Sequence, residues 1–207
     1  MSHRSLPVVI GCTAVILSGC GGDKAPAPRP SAAAVQKDLV LTAGDLPDGY
    51  ATSPPDATPE VSAASSSSIP GCDPLLDLFQ TGPRDAARFE AGSTGPFLAE
   101  SLADGTPIAD MAARCATFTD TDGDGETTHV SVDPVGDFPA VAESQKAFMM
   151  EATGGTGDDA WTTSGYLVQL RVDGLTCTLV HFGQPGVDRA ETESIAKAAV
   201  AKIKRRQ

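Results

Sequence analysis

The run GYLVQLRVDGLTCTLVHF, residues 165–182, constrains the fold more than any other part of this chain. Apolar and polar residues alternate on both sides of Asp173-Gly174, a dipeptide suited to a two-residue hairpin turn. Such a turn sets the register, and the register sets the faces. Val172 meets Leu175, Leu170 meets Cys177, Val168 meets Leu179 and Tyr166 meets His181, all on one side of the ribbon. The other side carries Leu167 with Val180, Gln169 with Thr178, and Arg171 with Thr176. The first side is the expected core face.

A helix follows over 188–204. Asp188 is positioned to cap it, Glu191 completes a capping-box spacing, and Lys202, Lys204, Arg205 and Arg206 stand at the negative end of its dipole. Ile195, Ala199 and Ile203 share the face that should pack on the sheet. Upstream, SAAAVQKDLVLTAGDLP suggests a short helix capped by Ser31, with Val35 and Leu39 on one face and Gly44 and Pro47 ending it. Residues 51–70 hold almost no large apolar residue and read as a long exposed loop. Leu75, Leu76, Leu78 and Phe79 make a short apolar helix or turn. Short strands are expected in 86–102, broken by Gly92, Gly95 and Pro96. Thr106–Cys115 fits a helix with Ile108, Met111, Ala112 and Cys115 on one face. Residues 126–132 and 145–152 are strand candidates, though the second could be helical. The order predicts an α+β fold: a mainly antiparallel twisted sheet flanked by helices, in a single domain spanning 35–207.

The N-terminus says where such a domain works. Met1–Arg4 is basic, and Leu6–Leu17 is an apolar run long enough for a signal-peptide core and too short to span a bilayer. Leu17-Ser18-Gly19-Cys20 then resembles the bacterial lipobox. That resemblance implies diacylglyceryl transfer to the Cys20 thiol and cleavage after residue 19. Added acyl chains contribute about 0.8 kcal/mol per buried methylene, so two hold a protein on a membrane where one does not. An incidental cysteine after an ordinary secretory signal is the alternative. Residues 20–34, rich in proline and alanine, read as an extended tether reaching a few nanometres at ~3 Å per residue. The expected location is the outer face of the cell membrane.

Charge narrows the partners. The 207 residues carry a formal charge of −12, and 5% are aromatic. An acidic surface repels nucleic-acid phosphates, so no nucleic-acid partner is expected. A monomer that binds an unidentified small molecule or protein is expected instead.

After processing, Cys72, Cys115 and Cys177 remain beside Cys20. Cys72 and Cys115 stand at element boundaries in an exported domain and are expected to pair. The bridge would close about 44 residues and contribute roughly 4 kcal/mol. Cys177, on the core face opposite Leu170, would be free and buried. The alternative gives Cys177 one of the two partners and leaves the other exposed.

Catalytic and metal signatures are weak. Asp120-Thr-Asp122-Gly-Asp124-Gly125-Glu126 matches the start of an EF-hand loop, but position 12 falls on Ser131. It reads as an acidic turn, with weak calcium binding left open. His129 and His181 form no zinc motif, and no metal or cofactor is expected. No G-x-S-x-G elbow occurs, and nothing in the sequence brings Ser93 to His181. Trp161, the only tryptophan, either caps the core or lines a binding surface.

LTAGDLPDGY (41–50), Cys72-x-Pro-Leu-Leu, Ala-Arg-Cys115-x-x-Phe118 and the final hairpin with its helix resemble the extracellular sensor-like domain of actinobacterial lipoproteins. That domain is similar to the ligand-sensing part of PknH-type receptor serine/threonine kinases. The resemblance covers most of residues 35–205. It implies a disulfide-stapled α+β domain with a cleft beside the sheet and no catalytic residues. The kinase domains carry two disulfides; three non-lipidated cysteines allow one at most. The expected function is therefore a non-enzymatic, lipid-anchored binding or sensing lipoprotein, with Trp161, Tyr166 and residues 51–70 at the ligand's rim. The alternatives are a carrier of apolar molecules in an internal cavity and a cell-wall hydrolase.

Overall fold

Asp173 and Gly174 turn with φ of 51° and 82°, the positive values a tight hairpin of this hand requires. The ribbon they close, β8 (Trp161–Val172) and β9 (Leu175–Gly183), has the predicted register throughout: Val172 with Leu175, Leu170 with Cys177, Val168 with Leu179 and Tyr166 with His181. The computed structural model describes residues 38–53, 66–81, 86–103 and 109–205, all within the compact unit Ser31–Gln207. The signal segment, Cys20, the tether, Ser31 and Val35 lie outside the described residues.

The other strands are β1 (Ala51–Thr52), β2 (Ser66–Ser67), β3 (Ala87–Glu90), β4 (Phe97–Ala103), β5 (Thr117–Thr121), β6 (Thr127–Pro134) and β7 (Ser144–Gly154). They join β8 and β9 in one nine-stranded antiparallel sheet ordered β1-β3-β4-β9-β8-β7-β6-β5-β2. The helices are α1 (Asp73–Thr81), α2 (Ala109–Arg114) and α3 (Arg189–Lys204). The class is thus α+β with a wholly antiparallel sheet. None of the described helices is long and apolar enough to cross a membrane.

Helix α3 begins as its sequence dictates. The Asp188 side chain accepts the Glu191 backbone N–H at 2.9 Å. Ile195, Ala199 and Ile203, with Ala196 and Val200, pack against Val168, Leu170, Val172, Cys177 and Leu179. This is the predicted core face, and helix and sheet share one apolar core here.

The opposite face is also a core, which the alternation did not announce. Leu167 and Val180 are buried there beside Phe148, Met150, Val130 and Val132. The reason is the disulfide: Cys72, at the start of α1, bonds to Cys115, just after α2. The bridge holds Leu75, Leu76 and Ala112 down on that face. A sheet covered on both sides buries residues of both parities, so central strands lose the polar-out half of their pattern. Cys177 is free and buried, as expected. Ile108 and the Met111 side chain lie outside the described residues.

Two expectations are corrected. The described part of the first proposed helix is a turn at Asp38–Val40 followed by a 3-10 turn, Ala43–Asp45. The segment lies across the α3-covered face as a strap with Leu39 and Leu41 buried. The Leu41 N–H donates to the Glu100 carboxylate instead of to a carbonyl one helical turn back. Asp45 then pins the strap to the end of α3 through Lys202 and Arg205; the Lys202 bond first, then the hydrogen bonds from Thr42, hold its carboxyl well below the usual carboxylate range. Residues 51–70 are likewise not all loop. Their ends are β1 and β2, the two opposite edges of the sheet, because Thr52 pairs with Phe89 and Ser67 with Asp120. Residues 54–65 between them lie outside the described residues. Segment 145–152 is settled as strand: it forms the middle of β7, paired on both sides.

Candidate functional site

Two adjacent strand ends build a pocket of ligand size. β7 ends at Gly154 and β8 begins at Trp161, and these two residues are cross-strand partners. A Cβ on Gly154 would lie 2.6 Å from the indole Cζ2 and 2.8 Å from Cε2. The indole therefore occupies the space that glycine leaves over the strand, and its position is set by backbone. Gly155 is needed for a second reason: its φ is +71° and a Cβ there would meet the Asp159 carbonyl oxygen at 2.2 Å. These two glycines let the 155–160 connection fold back and frame a pocket of about 550 Å³. Small-molecule sites span roughly 300–1,000 Å³. A second hollow, beside Phe97 and Phe182, holds only about 140 Å³.

The polar lining follows from register. Thr119 pairs with His129, His129 with Thr153 and Thr153 with Thr162. Strand alternation puts all four on one side of the sheet, in a row running across four strands. His129, Thr153 and Thr162 line the pocket. Trp161, one residue before Thr162, points to the other side, so the pocket wraps the end of the sheet and takes the row from one face and the indole from the other.

The structure separates the two aromatic residues expected at the rim. Trp161 lines the pocket, half-buried against the disulfide-side core. Tyr166 has the opposite parity; it pairs with Met149 and packs, half-buried, against the α3-side core. A five-residue spacing along a strand guarantees this split, because side chains repeat every two residues. Thr153, Thr162 and Gly154 escaped the sequence reading, which weighed His129 only as a metal ligand. Their only signal was polar residues in cross-strand register, visible once β6, β7 and β8 are aligned.

Substituting alanine for Gly154 is expected to push the indole out of its seat, at a cost of about 1–3 kcal/mol typical of overpacking. With one tryptophan in the chain, the emission maximum should shift red as the ring gains water. An unchanged spectrum would mean the ring is not seated on this glycine.

The acidic turn is a turn. Asp122 Oδ1 accepts the backbone N–H groups of Asp124 and Glu126, each at 2.9 Å, closing the β5–β6 hairpin. Asp120 belongs to β5 and is buried, while Asp124 and Glu126 are exposed. Among the described residues no group of three metal-ligating side chains converges.

Two polar networks lie under the strap. His181 is fully buried. The Thr192 hydroxyl donates to the Asp188 carbonyl at 3.1 Å, so it accepts the His181 Nδ1–H at 2.8 Å. Nε2 is then the acceptor for the Tyr50 hydroxyl at 2.7 Å. Burial lowers the imidazole pKa to about 4, opposed by Asp188, and raises the Tyr50 phenol far above its ordinary value. Both ring nitrogens are occupied inside the fold, and neither partner is Ser93. Glu100, also fully buried, stands between Leu98 and Leu102 on β4. It accepts the Leu41 N–H and, through Oε1, the Cys177 thiol at 3.5 Å. Burial raises its pKa to about 7 against the pull of the Leu41 N–H, Cys177 and Lys202. The thiol is pushed up in turn, by burial first and then by Glu100.

What the fold and site define is an antiparallel α+β domain with a small open pocket at its strand ends. Comparison with known proteins finds no matching family model, no matching curated protein and no matching solved structure.

Proposed function

We propose that this chain is a binding or sensing lipoprotein without catalytic activity, monomeric, and tethered through Cys20 to the outer face of the cell membrane. The observation that carries the binding half is the Trp161 pocket: about 550 Å³, open to solvent, on a rigid sheet, with its aromatic wall positioned by Gly154. Sites on strands are held more precisely than sites on loops. A hydroxyl-bearing row along one wall favours a polar occupant over the apolar cargo of a carrier. The lipobox-like LSGC and the net charge of −12 support the membrane-anchored half and argue against nucleic acid. The sensor-like resemblance of residues 35–205 supports the same reading.

Native mass spectrometry of the full acylated protein, extracted from its own membrane, tests both halves. The expected spectrum shows a diacylglyceryl adduct at Cys20 and a second, non-covalent mass lost on activation. Cys20→Ala should move the protein from the membrane fraction to the soluble one. A Cys20→Ala protein that stays on the membrane overturns the anchor. A wild-type protein that carries no small molecule overturns the binding half and favours a scaffold.

A further inference from the structure

We propose that the Trp161 pocket takes a neutral saccharide; this names the ligand class of the binding site above and rests on that reading. A pyranose presents C–H groups on its faces and hydroxyls around its rim. A pocket that offers an aromatic wall on one side of the strand ends and hydroxyl-bearing side chains on the other matches the two parts of that distribution. Here the wall is the Trp161 indole, seated over Gly154. The hydroxyls are those of Thr153 and Thr162, paired directly across β7 and β8, with His129 next in the row on β6. Directly opposed residues have Cβ atoms roughly 4.5–5.5 Å apart, so the two threonines present neighbouring hydroxyls along the same wall. A threonine hydroxyl both donates and accepts, and so does every hydroxyl of a polyol.

The competing ligand classes fit less well. An apolar molecule would desolvate the threonine hydroxyls without pairing them, a cost of about 1–3 kcal/mol for each buried group. An anion finds no lysine or arginine among the lining residues, meets Glu126, and approaches a chain of net charge −12. A compact cation finds one carboxylate and no second acid beside it. Size agrees as well, since a pocket of about 550 Å³ admits one or two sugar rings.

The test uses the full protein in a detergent without a sugar headgroup. Trp161 emission, and calorimetry in parallel, follow titration with maltose, trehalose and chitobiose, with glucuronate as the anionic control. At least one neutral disaccharide should give a saturable shift. Thr162→Val should weaken that binding about tenfold, the loss of one hydrogen bond. Trp161→Ala should abolish the calorimetric heat while the far-ultraviolet circular dichroism keeps its sheet signature. Failure of all three neutral sugars overturns the saccharide assignment. If the membrane-extracted protein then still carries a non-saccharide small molecule, the binding reading survives without it. Glucuronate binding as tightly as the neutral sugars overturns the charge argument, and undiminished binding by Trp161→Ala overturns the location.

Discussion

Replacing Cys115 with serine is expected to destabilise the oxidised protein by about 4 kcal/mol, the entropy of releasing a loop of this length in the unfolded chain. The bridge joins residues 43 apart in sequence, and both cysteines are buried. The serine hydroxyl and the orphaned Cys72 thiol would remain in an apolar site, adding to the loss. The damage should concentrate where the staple acts. Leu75, Leu76 and Ala112 would lift from Phe148, Met150 and Leu167, while the α3 side keeps its packing. Urea denaturation followed by circular dichroism reads the total, and amide hydrogen exchange reads the distribution. Cys72→Ser should match Cys115→Ser, and the double variant should cost little beyond either single one. A midpoint within error of wild type would show that the bridge does not stabilise this fold.

The second large effect is in pH dependence, where two buried groups oppose each other. Glu100 has its pKa raised from 4.5 to about 7. The folded state therefore holds a proton that the unfolded chain has released. Its contribution is complete below pH 4.5 and is lost as pH rises through about 7, some 3 kcal/mol in all. His181 has its pKa lowered from 6.5 to about 4. Its contribution is complete above pH 6.5 and is lost as pH falls through about 4, again some 3 kcal/mol. Between pH 4.5 and 6.5 the two slopes cancel, so the wild-type stability should be nearly flat there. Glu100→Gln keeps an acceptor for the Leu41 N–H and removes the titration. It should gain about 2 kcal/mol at about pH 8, the full linkage term less the cost of an imperfectly paired amide. Its stability should then fall steadily with acid below pH 6.5, exposing the His181 limb. His181→Gln should show the mirror image, a fall from pH 4.5 toward 7, on a lower baseline because Tyr50 and Thr192 lose a partner. Denaturation midpoints across pH decide it; a Glu100→Gln curve parallel to wild type would sink the assignment.

Much of the architecture was legible because it is local. Asp173-Gly174 specifies its turn by backbone conformation, and a two-residue turn leaves no freedom of register. Asp188 and the Ile195, Ala199, Ile203 face define α3 from a single stretch of chain. Where local patterns misled, a distant partner decided. The 38–45 segment carries apolar residues at a spacing that also fits a helix, yet Glu100, 59 residues from Leu41, captures its backbone donor. Glu100 had a sequence signal that went unread: an acid midway between Leu98 and Leu102 on an alternating strand sits on the core face.

By itself the sequence determined the hairpin and its faces, the capped helix that covers one of them, the antiparallel α+β class and the pair of cysteines that join. Each depends on residues close in the chain, or on which thiols stand at element ends. Only the tertiary structure decided that the sheet is buried on both sides and that 51–52 and 66–67 become its opposite edges. It alone also put Trp161 and Tyr166 on different faces and brought the indole and the hydroxyl row, from opposite faces, into one pocket at the strand ends. These outcomes depend on strand order and long-range register, and no stretch of chain encodes either without the strands it will lie beside.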